Sequence, residues 1–232
     1  MKKERREYDK VVDYIYTLVE NGQLQIGSRL PTERTLADEL GVGRNSIREA
    51  LRLLENMGLI ESRQGSGNYI SCNSSNSISE AVDIMLMLQQ TTVEEVCSFR
   101  RSMEKAVCLE IIRNGIPAGL SEEIEMLLSE RMETSDPAEQ AEADHNFHYA
   151  LIRASGNQMW ICISEAIINV YRRWVEKVIL KADENTKSEL RECHTEIFSA
   201  LKKGDRNGCE KAIDRHYDIF DRQLNAESGS IR

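Results

Sequence analysis

The chain has few of the residues that break helices or build redox and membrane devices. Only 3 of its 232 residues are proline, so long uninterrupted helices are favoured. Its six cysteines, Cys72, Cys97, Cys108, Cys162, Cys193 and Cys209, form no CxxC pair. That excludes a CxxC redox or zinc motif and leaves reduced, mostly helix-packing thiols of an intracellular protein. The opening "MKKERREYDK" has no apolar stretch, so no signal peptide is expected there. The most apolar run, "DIMLMLQQ", is far too short to cross a bilayer, and a cytoplasmic protein without a membrane partner is expected. Internal repeats and low-complexity tracts are absent. Histidine is scarce as well, with four in the whole chain.

The net charge of −9 argues against indiscriminate nucleic-acid binding. It is unevenly spread. Residues 1–72 hold 11 basic and 11 acidic residues, whereas residues 73–232 hold 19 and 28. A neutral part followed by an acidic part predicts two regions with different tasks.

In the first region, Val11, Ile15, Leu18 and Val19 recur at helical spacing within 5–21, and "NG" ends the helix. "LPTERTLADELGVG" predicts a second helix closed by a tight glycine turn. "RNSIREALRLLENMG" predicts a third, with Ile47, Leu51 and Leu54 on one side and Gly58 as its stop. "LIESR" and "NYIS" flank the loop "QGSG" at 64–67 and predict a hairpin. This order describes a winged helix-turn-helix. Arg44, Arg48 and Arg52 fall on the third helix opposite its apolar side. Guanidinium groups there suit the O6 and N7 atoms of guanine in a major groove. The same spacing also fits an amphipathic helix whose charges only keep it soluble.

"CNSSNSIS" predicts a polar linker over 73–79. Beyond it no strand pattern occurs. Seven helical segments are predicted at roughly 78–90, 92–114, 120–134, 137–155, 157–182, 186–203 and 206–225. The expectation is a mainly α chain: a winged helix-turn-helix over 1–72 and an all-α bundle over 80–232.

Helical phase sets five ionisable groups on apolar stripes of that bundle. Arg100 lines up with Val96, Met103 and Val107. Asp144 and His148 share a face with Leu151, while His145 is rotated by one position. His194 aligns with Leu190, Ile197 and Leu201. His216 aligns with Cys209, Ile213 and Phe220. The short link "KKGD" makes the last two helices antiparallel, with His194 and His216 about 15–18 Å from the turn and so level with each other. Asp144 and His148, one turn apart, can both reach one ion. One carboxylate and three imidazoles suit Zn²⁺, Ni²⁺, Mn²⁺ or Fe²⁺. The competing reading is ordinary core packing, with Asp144 paired to a histidine and Arg100 paired to Glu104.

Residues 27–70, "GSRLPTERTLADELGVGRNSIREALRLLENMGLIESRQGSGNYI", resemble the DNA-binding domain of GntR-family bacterial transcription regulators. "FRRSMEKA", "DHNFH" with "ASGN", "CHTEIFSALKKGD" and "AIDRHY" resemble the FCD ligand-binding domain that marks the FadR subfamily. The resemblance implies a homodimer on a palindromic operator in double-stranded DNA, controlled by a small carboxylic acid effector. It implies groove and phosphate contacts by Arg34, Arg44 and Arg48, help from Asn45 and Ser46, and close approach of the wing at Gly65. It implies a divalent metal, zinc first with nickel or manganese as alternatives, on Asp144, His148, His194 and His216. Arg100 matches an arginine that faces the effector. Gly43 departs from relatives with Ser or Thr there, which removes a side-chain cap.

Two other functions fit the same residues. In a metal-sensing regulator the ion itself is the signal. In a DNA-tethered hydrolase the ion activates water, but no HExxH arrangement is present and Glu142 lies off the ligand face. A regulator rather than an enzyme is the expectation.

Overall fold

The computed structural model describes residues 6–130 and 136–228. The chain divides into two compact units, one through Ser77 and one from Ile78.

The first unit contains α1 (Glu7–Glu20), α2 (Glu33–Leu40), α3 (Arg44–Asn56), β1 (Ile60–Arg63) and β2 (Gly67–Ile70). Val11, Ile15, Leu36, Ile47, Ala50, Leu54 and Ile60 form its core. The side chain of Thr32 accepts from the Thr35 amide at the start of α2, the usual repair for an unpaired N-terminal N–H. Gly41, in a left-handed conformation, ends the helix. Gly43 caps α3 with no side-chain bond, as its lack of a hydroxyl dictates. The strands pair antiparallel, with Ile60 opposite Ile70 and Arg63 opposite Gly67. Arg29 adds an isolated bridge to Tyr69.

Gly58 carries a specific demand. Its φ is +70°, and a Cβ there would overlap the Asn73 carbonyl. Its own carbonyl accepts from the Asn73 amide at 2.9 Å. Gly58→Ala therefore meets both left-handed strain and a backbone clash. We expect a loss of roughly 1–3 kcal/mol, read as a lower urea midpoint at unchanged m-value. An unchanged midpoint would remove this account of the glycine.

The expected linker over 73–79 is mostly helical. Helix α4 (Ser75–Met87) begins inside it. Ser and Asn favour loops because their side chains compete for backbone groups. Here Ser77 Oγ donates to the Asn56 carbonyl and Ser79 Oγ to the Ala166 carbonyl at 2.8 Å. The hydroxyls thus bind carbonyls far along the chain and leave the helix's own ladder intact.

The second unit holds α4 from Ile78 onward, with α5 (Val93–Asn114), α6 (Leu120–Glu130), α7 (Pro137–Ala154), α8 (Gln158–Lys181), α9 (Glu184–Lys203) and α10 (Arg206–Ser228). These match the predicted segments to within a few residues. The predicted end of the third segment, 131–134, and residue 5 of the first helix lie outside the described residues. Val107, Ile124, Phe147, Leu151, Ile197, Ile213 and Tyr217 anchor the core. Gly204, left-handed, turns α9 back along α10, and α5 packs against α7, α8 and α10. The six cysteines are free thiols, four of them buried. Among the described residues no helix is long and apolar enough to cross a membrane.

Candidate metal centre and nucleic-acid interface

In the first unit, α3 buries Ile47, Ala50, Leu51 and Leu54 and turns Arg44, Asn45, Arg48 and Arg52 to solvent. Arg34, at the start of α2, is also exposed and sits 3.8 Å from Asp38. Gly65 lies exposed in the wing turn with φ +71°. Two of the predicted contacts are already held. Arg48 Nε donates to Glu33 Oε2 at 3.0 Å, and Ser46 Oγ donates to Glu7 Oε2 at 3.1 Å. The wing adds a cation that sequence reasoning passed over: the Arg63 guanidinium lies 4.2 Å from the centre of the Tyr69 ring. Its signal was the hairpin register, which sets those residues on neighbouring strands.

In the second unit, Asp144 and His148 come from α7, His194 from α9 and His216 from α10. All four are buried, and one ligand atom from each lies within 4.8 Å of the others. His194 Nε2 is 3.2 Å from His148 Nε2. The Asp144 oxygens are 3.7 Å from His148 Nε2 and 3.5 Å from His194 Nε2. The three imidazole centroids form a near-equilateral triangle of 4.7–4.9 Å. With metal–ligand bonds of about 2.0–2.2 Å, neighbouring ligands stand about 2.9 Å apart on an octahedron and about 3.4 Å apart on a tetrahedron. The separations among Asp144, His148 and His194 fall in and just above that range, and with His216 the four atoms spread to within 4.8 Å. The donor set therefore fits a divalent ion, one carboxylate and three neutral imidazoles being suited to it.

Glu104 of α5 completes the geometry. Its Oε2 lies 2.9 Å from His148 Nδ1. Its Oε1 accepts from Tyr217 at 2.6 Å and from Arg100 at 3.3 Å. Burial alone would raise the Glu104 carboxyl, but the His148 imidazole, Arg100 and Tyr217 hold it down at about 2. A carboxylate on Nδ1 orients the ring and leaves Nε2 for the ion. The sequence offered Glu104 only as a partner one turn from Arg100. Its contact with α7 has no signature along the chain. Glu104→Gln keeps the shape but removes the charge. We expect metal affinity to fall about 10- to 100-fold in competition with a chelator, and unchanged affinity would reduce Glu104 to a packing group.

Arg100 is buried, and its guanidinium lies 4.3 Å from the centre of the Tyr171 ring. Its Nε has no hydrogen-bond partner. Desolvation works against its charge, but Tyr217 and Glu104 outweigh it and the pKa is raised. Arg100 and Asp144 line one recess between α7 and α8, together with His145, Tyr171 and Arg172. His145, out of phase with the ligand face, thus stands on the recess instead of in bulk solvent.

The fold and site together define a winged-helix protein whose helical second unit carries a buried Asp/His cluster able to hold an ion. Residues 7–70 match the bacterial regulatory proteins of the gntR family, and residues 95–218 match the FCD domain. The chain belongs to the GntR family of regulators, in the FCD-containing subfamily. It is 29% identical over 204 residues to the HTH-type transcriptional regulator LutR of Bacillus subtilis (strain 168), covering 86% of this chain and 92% of that one. It is 26% identical over 209 residues to the Glc operon transcriptional activator of Escherichia coli (strain K12), covering 87% and 82%. The Galactonate operon transcriptional repressor of the same strain is 24% identical over 209 residues, covering 88% and 90%. Among solved structures, Streptococcus agalactiae GntR superposes with a TM-score of 0.66 at 24% identity, over 93% of this chain and 99% of that one, a likeness of fold.

Proposed function

We propose that the chain is a cytoplasmic, homodimeric DNA-binding regulator whose operator affinity is set by a small carboxylate bound beside a metal ion. Arg34, Arg44, Asn45, Ser46, Arg48 and Gly65 would meet the DNA. Asp144, His148, His194 and His216 would hold the ion, zinc by preference with nickel or manganese as alternatives. The ion would supply an electrophilic contact for an acid oxygen. The observation that carries this reading is Arg100. A buried guanidinium with an unpartnered Nε, on the same recess as Asp144, suits a carboxylate ligand, which it can bind bidentately. The homodimer rests on the family and on an apolar stretch of exposed side chains, Ile84, Met85, Met87 and Leu88.

Coupling would be a population shift. The acid would favour one arrangement of two DNA-binding units over another and so change their match to half-site spacing. Selection from a random double-stranded pool should enrich palindromes, and added small acids should change their affinity with metal present. Enrichment without dyad symmetry, or indifference to every acid, would overturn it.

The metal-sensing alternative draws on the complete four-residue donor set. A chelator separates the two. If its removal of metal alone shifts operator affinity, the ion is the signal; if it only abolishes the response to acid, the ion is a ligand platform. A hydrolase has less support. Glu104, the carboxylate touching the ligand set, already faces three nitrogen or hydroxyl donors and is poorly placed to take a proton from water.

A further inference from the structure

We propose that the recess beside the Asp/His cluster takes a dicarboxylate, with one carboxylate on Arg100 at its inner end and the second on Arg172 and His145 at its mouth. This rests on the carboxylate reading above and narrows it to a charge class.

Two buried nitrogens on this recess lack partners. One is Arg100 Nε and the other is His145 Nδ1. A buried unpaired polar atom costs about 1–3 kcal/mol unless something bonds it, so two of them lining one recess point to a ligand with two polar ends. The His145 ring is held for that task by stacking on Tyr149, at 5.8 Å and 7°. Apart from Asp144, the rest of the wall is apolar, made of Ala141, Ile168, Tyr171 and Val175, which suits a short carbon chain.

The mouth already displays carboxylate recognition. Arg172 of α8 donates to Glu142 of α7 and to Glu176 one turn along its own helix at 3.4 Å. Both glutamates are about half exposed, so releasing them to water costs little. A second ligand carboxylate can replace Glu142 on the planar guanidinium. A monocarboxylate would leave the Arg172–Glu142 pair closed and His145 Nδ1 unpaired. Empty space in the recess is about 230 Å³, mouth included, and a water centre has only about 10 Å³ to move in. That is room for roughly one water, so a ligand enters only by displacing side chains at the mouth.

The test is calorimetric titration of zinc-loaded full-length protein with malonate and succinate against propionate and butyrate, paired by chain length. Each dicarboxylate should bind about ten-fold tighter or better than its partner, the worth of one charged hydrogen-bond pair. Arg172→Met and His145→Ala should each bring that ratio to within about three-fold and leave the monocarboxylates unchanged. Glu142→Gln should tighten the dicarboxylates alone. Folding of each variant is checked by circular dichroism. Equal binding of mono- and dicarboxylates, or a ratio that survives both substitutions, overturns the dicarboxylate assignment alone. Failure of every acid to bind the wild type overturns the carboxylate reading with it.

Discussion

Alanine at His194 should empty the proposed metal centre. His194 is fully buried, and its Nε2 is 3.2 Å from one proposed ligand atom and 3.5 Å from another. Loss of a direct ligand must cost at least as much as loss of an orienting partner, so affinity should fall more than about 100-fold. Purified His194→Ala should carry almost no zinc by elemental analysis, against about one ion per chain in the wild type. Metal at about 1,000 times its Kd adds about 4 kcal/mol to the folded state, or about 8–16 °C in the melting of a unit this size. EDTA should therefore lower the wild-type Tm by that amount and leave His194→Ala unmoved. Stoichiometric zinc in His194→Ala would falsify the assignment.

Alanine at Arg44 should have the largest effect on DNA. Arg44 opens α3 and is exposed. Unlike Arg48, it meets no carboxylate among the described residues. A bidentate arginine–guanine contact is worth about 1–3 kcal/mol, and a homodimer makes it in two half-sites. The sum of about 2–6 kcal/mol predicts at least a 30-fold loss of operator affinity at fixed salt, measured by anisotropy on the selected palindrome. Specificity should relax at one position of each half-site. Uniform weakening over all sequences would instead make Arg44 a phosphate contact, and unchanged affinity would remove α3 as the reading helix.

Helical phase carried the candidate site a long way. Asp144, His148, His194 and His216 stood out because a polar group on an apolar stripe is conspicuous under a 3.6-residue period. The heights of His194 and His216 relative to the α9–α10 turn followed from a fixed rise per residue. The hairpin and the seven helices of the second unit were legible for the same reason, since glycine, proline and capping residues mark where a local period stops. Helix α4 begins at Ser75, ahead of the expected start at 78, where the serine hydroxyls find carbonyls distant in sequence. Local propensity cannot anticipate such partners.

By itself, then, the sequence determined what depends on neighbours along the chain: element types, the face each side chain takes, the winged-helix motif and the family resemblance. Only the tertiary structure decided what depends on how one helix is shifted and rotated against another. It set Glu104 of α5 on the far nitrogen of His148 of α7. It also set His145, one step off the ligand face, on the recess that Arg100 and Arg172 share. Phase assigns a residue to a side of its own helix, but an angular offset of one position still reaches a pocket when the adjoining helix lies on that side.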